Sequence, residues 1–275
     1  MEGPSLVILK EELQPFLGKR VLRVTGNTQQ PKELLRGRVL SEIDTWAKVL
    51  FLEFRASRKK DPPIVTKTHF MMFGSYRIDD PKPNRVPRLE LRFKNGTVYF
   101  YSCSLRFDGD VYRAEVDREV DLLSPHWNGK HVLERMAAKK DAYLCDLLLD
   151  QSVFAGSGNI VKNEVLFNIR RHPLTKLSAI PKKDWPNLVR AVREYCFNFY
   201  EWKKKYELRR HWQVYRKNTC PLCGRKLRKE KLGKFSRKTF YCAACQKRTV
   251  SVRPLRVFPV LPPPLAKRPE SRLDH

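Results

Sequence analysis

Two hydrophobic periods divide the chain. Up to about residue 118 the apolar positions fall in short blocks of strand length. Residues 49–54 (VLFLEF) form a short apolar run of strand length broken only by Glu53; Leu89, Leu91 and Phe93 alternate with charged neighbours, and Val98 and Phe100 alternate again. Alternation sends every second side chain to one face, the signature of a strand. Asn95-Gly96 between the last two blocks predicts a hairpin with a two-residue turn. An early helix is expected from about Leu6 through residues 11–17, closed by Gly18. Residues 55–63 (RASRKKDPP) form a charged loop between strands.

Beyond residue 125 the spacing becomes helical. Val132, Leu133, Met136 and Ala137 sit on one helix face, and Leu144, Leu147 and Leu148 continue the period. Residues 155–159 (AGSGN) interrupt it, residues 164–167 resume it, Pro173 and Pro181 punctuate the next connection, and residues 185–204 form a long helix. This divides the chain into a mainly β domain (1–118), a helical domain with a glycine turn (125–215), a cysteine-rich module (216–248) and a flexible basic tail (249–275) with five prolines between 254 and 264. The fold class is α+β, in more than one domain.

Charge narrows the partner. The 275 residues hold 56 Lys+Arg against 29 Asp+Glu, a net +27, and residues 201–275 alone hold 22 against 5, a net +17. Such a field suits a polyanion, whose condensed counterions are released on contact, and has no use in handling small neutral substrates. No apolar run approaches the roughly 18 residues of a membrane span, so nucleic acid is the expected partner and a monomer the expected state. Met1-Glu2-Gly3-Pro4 has neither the basic start nor the apolar stretch of a leader, which leads us to expect a reducing compartment: cytoplasm, nucleoid or nucleus.

There, paired cysteines read as metal ligands before disulfides. Cys220, Cys223, Cys242 and Cys245 form two C-x2-C pairs separated by 18 residues. Four thiolates suit one tetrahedral zinc and leave no open position for water, so the ion would be structural. The remaining Cys103, Cys145 and Cys196 are expected in the core.

Glu2-Gly3-Pro4, the 155–159 glycine turn with residues 163–167 (NEVLF), and the cysteine module, in that order, resemble the formamidopyrimidine-DNA glycosylase / endonuclease VIII family over about residues 1–248. The resemblance implies an N-terminal β-sandwich with a flanking helix, a helix-two-turn-helix domain and a zinc-finger hairpin. It implies a base-excision repair enzyme acting on damaged DNA. In that family the terminal amine attacks C1′ of the damaged nucleotide, a Schiff base forms, the base leaves and elimination cuts the strand. An α-amine, with a pKa of about 7.7–8.0, is far more available near neutrality than an ordinary lysine. Met1 stands where the family has a proline, and still offers a primary amine. Ser5 also replaces a glutamate common there.

The resemblance assigns the catalytic group to Met1, Glu2 (proton shuttle) and Lys48 (sugar-phosphate contact and ring opening). Met71, Met72 and Phe73 would fill the hole left by the flipped base, though residues of this kind also build core strands. Asn159 and Arg237 would bind the phosphate beside the lesion. Only 15 residues, 205–219, separate the long helix from Cys220. That is too short for the loop that closes over oxidised purines in some members, so the resemblance favours oxidised pyrimidines, or lesions in single-stranded or bubble DNA. A non-enzymatic binder of damaged or abasic DNA on the same scaffold remains the alternative.

Overall fold

The computed structural model describes residues 1–56 and 61–248. The expected tail, 249–275, and part of the 55–63 loop lie outside the described residues. The chain opens with α1 (Gly3–Glu12) and a separate 3-10 turn, Gln14–Phe16. The single helix expected up to Gly18 is thus split. Pro15 offers no amide to continue the helical ladder, and Gly18, at φ +76°, turns its amide onto the Leu40 carbonyl at 2.8 Å.

Eight strands follow among the described residues: β1 (Arg23–Thr25), β2 (Val39–Trp46), β3 (Val49–Arg55), β4 (Ile64–His69), β5 (Ser75–Ile78), β6 (Leu89–Phe93), β7 (Gly96–Tyr101) and β8 (Ser104–Arg106). They form two antiparallel sheets, in the orders β1-β6-β7-β5 and β2-β3-β4-β8. Leu40, Leu50, Leu52 and Phe54 of one sheet meet Leu89, Leu91, Val98 and Phe100 of the other, with Leu6, Leu9 and Leu13 of α1 added to the same core. The run of apolar residues on both faces of β3, residues 49–52, has a cause. Its inner face enters that core, while Val49 and Phe51 on the outer face are covered by Tyr112 of α2 (Gly109–Glu115). The β6–β7 turn is Lys94-Asn95 rather than Asn95-Gly96, because Gly96 pairs with Phe93 as the first residue of β7. Gly96 takes φ +150°, a backbone conformation that side chains rarely adopt, which is the reason for glycine at the start of β7.

The second core gathers α3 (Gly129–Ala137), α4 (Leu144–Leu147), α5 (Asn159–Asn168) and α6 (Trp185–Lys204) around Val132, Met136, Leu147, Val161, Val165 and Val192. Polar residues on α5 fasten the hairpin β9 (Arg228–Leu232) and β10 (Arg237–Tyr241). Lys162 Nζ donates to Thr239 Oγ1 (2.8 Å), the Phe240 amide donates to Asn163 Oδ1 (2.7 Å), and Asn159 Nδ2 donates to the Lys238 carbonyl (3.0 Å). Lys162, Asn163 and Glu164 are wholly buried, which is tolerable only because each is partnered. Among the described residues, no helix is long and apolar enough to cross a membrane.

Candidate active site

Two glycine-bearing segments, distant in sequence, dock on one another. The Gly3 amide donates to the Gly156 carbonyl at 2.8 Å, and a Cβ on Gly3 would lie 2.8 Å from Gly156 Cα. Gly158 is equally constrained: a Cβ there would lie 2.4 Å from Glu2 Cδ. Glycine at these places lets Glu2 reach past the loop to the start of α5. Glu2 Oε1 accepts the Ile160 amide at 2.6 Å, and Oε2 accepts the Val161 amide at 3.3 Å. Glu2 precedes α1, yet its side chain caps α5, where unpaired amides and the helix dipole favour an anion. Gln151 braces the same turn, accepting the Gly156 amide at 3.0 Å and donating to the Ser157 carbonyl at 3.1 Å.

Anchoring Glu2 holds the neighbouring Met1 amine in a partly buried position. Burial pushes the Met1 amine below the usual α-amine range; Glu2 opposes the shift, while Lys48, Lys203 and Arg237 add to it. Burial also lowers Lys48, against the attraction of Glu2. Glu2 is raised by burial, an effect moderated by Lys48, the two α5 amides and the Met1 amine. Three groups expected from sequence therefore share one electrostatic environment: a half-buried amine made easier to deprotonate, a carboxylate and a lysine. Together they can perform amine addition to a carbonyl-like carbon with proton transfer beside it.

Lys48 is presented by the turn between β2 and β3, in which Ala47 takes a left-handed φ of +53°. The Ala47 amide donates to Asp121 Oδ2 at 2.7 Å, and the Leu123 amide donates to Oδ1 at 3.1 Å. Asp121 is a site residue that sequence reasoning missed. A lone acidic residue 74 positions from its partner leaves no periodic or motif signal. Lys203 was missed too, since it lies within a run of lysines at the end of α6.

The Met1 amine donates to the Met71 carbonyl at 3.1 Å, joining it to the β4–β5 turn. Met71, Met72 and Phe73 are 55%, 62% and 81% exposed, whereas Phe70 before them is buried at 1%. The structure thus separates an anchoring aromatic from three apolar residues projecting into solvent beside the amine. Asn159 opens α5 and is tied to Lys238, one residue from Arg237, whose charge reaches both Met1 and Lys48.

Behind Arg237 lies the cysteine cluster. The Cys220 and Cys245 sulfurs are 3.8 Å apart, those of Cys223 and Cys242 3.5 Å, and all four lie within 4.8 Å of one another. Zn–S bonds of about 2.3 Å in tetrahedral array set sulfur separations of about 3.8 Å, so the four thiols fit one structural zinc. Cys103, Cys145 and Cys196 are buried core residues.

Comparison with known proteins gives a concordant picture. Residues 2–109 match the formamidopyrimidine-DNA glycosylase N-terminal domain, and residues 120–197 match the formamidopyrimidine-DNA glycosylase H2TH domain. Endonuclease 8-like 3 of Mus musculus is 32% identical over 222 residues, 78% of this chain and 36% of its own length. Formamidopyrimidine-DNA glycosylase of Vibrio atlanticus is 27% identical over 277 residues, 89% of this chain and 99% of its own. The chain therefore spans little more than a third of the first relative. Among solved structures, a viral DNA glycosylase superposes with a TM-score of 0.79 at 21% identity, covering 90% of this chain and all of that one. Lactococcus lactis formamidopyrimidine-DNA glycosylase, bound non-covalently to DNA containing an abasic site, superposes at 0.74 with 21% identity, over 90% of this chain and 100% of its own.

Proposed function

Because the chain belongs to the formamidopyrimidine-DNA glycosylase / endonuclease VIII family, we propose that it is a base-excision repair glycosylase with abasic-site lyase activity. The observation carrying this reading is the Glu2 carboxylate anchored on the first amides of α5, with the Met1 amine and Lys48 both bearing on it electrostatically. The neutral amine attacks C1′ of an extruded nucleotide, forming an N–C bond as the base departs with the C1′–N bond electrons. Glu2 moves protons at the sugar, and Lys48 contacts the sugar-phosphate and assists ring opening. Loss of a proton from C2′ of the resulting Schiff base expels the 3′ phosphate and cuts the strand. The lowered amine pKa supports this chemistry by raising the neutral fraction near pH 7.

Met71, Met72 and Phe73 fill the space vacated by the base, offsetting part of the few kcal/mol that extrusion costs. Asn159 and Arg237 hold the adjacent phosphate. The zinc does no chemistry; it rigidifies the module from which Arg237 projects. The boundaries at 118, 125, 215 and 248 assign catalysis to the sandwich and DNA grip to the helical and zinc units. The short connection at 205–219 supports a preference for oxidised pyrimidines, including those in single strands or bubbles.

Borohydride reduction during incubation with abasic DNA tests the reading. The expected result is a covalent adduct mapped to the peptide carrying Met1. No adduct between pH 6 and 9, with DNA binding retained, would leave a damage-binding protein on the same scaffold.

A further inference from the structure

The later half of α6 and the segment that follows it enclose a cavity that the proposed chemistry does not use. Tyr195, Asn198 and Trp202 recur at helical spacing and share one face of the helix. The chain then returns over that face. The His211 ring stacks on Trp202 at 4.1 Å and 7°, and Gln213, Val214 and Tyr215 give their amides to the buried Glu164 carboxylate. A space of about 610 Å³ is left between helix and segment, with Tyr195, Asn198, Trp202, His211, Trp212 and Gln213 on its walls. Among the described residues, neither Met1, Glu2 and Lys48 nor the 71–73 turn borders it.

Two hydrogen-bond donors among these wall residues are idle. Tyr195 is 4% exposed and its ring meets Trp202 edge-on at 5.8 Å, yet its hydroxyl has no partner in the protein. The Trp212 indole nitrogen is buried and equally unpartnered, while its ring meets Tyr215 edge-on at 4.9 Å. Leaving a buried donor unpaired costs about 1–3 kcal/mol. Elsewhere the chain avoids that cost: the Trp46 and Trp185 indoles donate to the Asp117 and Ile180 carbonyls at 2.9 and 3.0 Å. Ring contacts fix both idle donors in place, so a ligand that accepts from them meets a site already ordered, which lowers the entropic cost of binding.

We infer that this cavity binds an unpaired nucleobase, its carbonyl oxygens accepting from the Tyr195 hydroxyl and the Trp212 indole. Unpaired bases stack on aromatic side chains and offer their edges to hydrogen bonds; the cavity supplies aromatic walls, the Asn198 and Gln213 amides and two idle donors. The net charge of +27 gathers nucleic acid around the chain, which makes bases the flat acceptors at hand. The test follows the indole N–H resonances of the nitrogen-15-labelled full chain, with Trp212 assigned through Trp212→Phe. Thymidine, added to about 10 mM to cover the weak affinity of a single small ligand, should move the Trp212 resonance and leave Trp46 and Trp185 in place. Tyr195→Phe, which keeps the ring, should weaken that response about tenfold, the loss of one hydrogen bond, without lowering Tm. An oligothymidylate of eight nucleotides separates two sources: saturation below the thymidine range assigns the site to a base within a strand, and no response beside a thymidine response assigns it to a free nucleoside. A Trp212 resonance unmoved by either probe, an equal movement with benzene, or a Tyr195→Phe protein that binds as wild type overturns the inference. The measurement involves no strand cleavage, so its failure is distinct from a failure of the glycosylase reading.

Discussion

Two buried carboxylates join α5 to other segments by accepting backbone amides, Glu2 from outside the helix and Glu164 from within it, and they differ in their neighbours. Glu2 accepts the amides of Ile160 and Val161 at 2.6 and 3.3 Å. Glu164 accepts three, from Gln213, Val214 and Tyr215, at 2.8, 3.0 and 2.7 Å. Both are pushed upward in pKa by burial, and in both the amides resist. Among opposing charges Lys217 bears on Glu164, whereas Lys48 and the Met1 amine bear on Glu2. Amide capture of a buried carboxylate is therefore a way of fastening segments together, here the root of the zinc module to α5. A shifted pKa alone does not mark chemistry. What distinguishes the Glu2 end is an amine and a lysine beside the same carboxylate.

The largest expected effects separate the two ends outright. Glu2→Gln keeps an oxygen for the Ile160 amide but removes the carboxylate that the proposed mechanism uses to move protons. Trapping on abasic DNA should fall by about 100-fold or more, with Tm close to wild type. Glu164→Ala strands three amides in a buried site and should cost about 3 kcal/mol or more, lowering Tm by roughly 6–12 °C, while trapping per folded molecule persists. Thermal melts alongside trapping distinguish these outcomes. If Glu164→Ala abolished trapping in the still-folded protein, the contrast between fastening and chemistry would be wrong.

The contrast also explains what the sequence disclosed. Elements with a clear apolar pattern were legible: the apolar run that opens β3, and α6 at Trp185–Lys204, whose bounds match the expected helix. So was the cysteine cluster, because C-x2-C spacing fixes local geometry. The α1 boundary was not, since Pro15 splits an apolar pattern that carries no other mark. Glu2 and the glycine turn stood out only in combination, each being uninformative by itself. Asp121, Lys203 and Glu164 stayed hidden because their partners are fixed by tertiary contact, at separations of 74 residues for Asp121 and 49–51 for Glu164. Periodicity reports which face is buried; it says nothing of which buried polar group will find which amide.

Arg237 gives the next largest effect. It starts the strand that α5 grips through Asn159, Lys162 and Asn163. Arg237→Ala should weaken DNA binding about tenfold, as expected for one charged hydrogen bond to a phosphate, and reduce the slope of log K against log salt by about 1. Fluorescence anisotropy at several salt concentrations measures both. An unchanged slope would remove Arg237 from the phosphate grip.

A smaller effect lies in the pH profile. Trapping requires a neutral amine, so its rate should rise with pH through the Met1 pKa, which burial sets below the usual α-amine range. Lys48 adds to that lowering by repelling the protonated amine. Lys48→Met, whatever its effect on rate, should therefore move the midpoint upward, by less than about one unit. Lys217→Met, beside the other carboxylate, should leave the midpoint in place. Equal shifts from both would mean that net charge, rather than the local cluster, tunes the amine.

The smallest expected effect concerns a third buried charge on α5, of opposite sign. Lys162 is wholly buried, donates to Thr239 Oγ1 at 2.8 Å, and has its pKa lowered by burial to about 8. The unfolded chain holds that proton up to the ordinary lysine value, about 10.4. Between these two values the unfolded state binds more protons than the folded one, so stability rises with pH across the window. Below it both states are protonated and the contribution is flat, with the cost of the buried charge fully present. Lys162→Met should abolish this rise and change stability by only about 1 kcal/mol near pH 7, since it removes the charge along with the hydrogen bond. Urea unfolding of both proteins from pH 7 to 10 reads the difference directly. If the wild type gained nothing over Lys162→Met in that range, the buried ammonium would have to be stabilised as fully as in water, with Asp146 or another partner holding it as Lys48 holds Glu2.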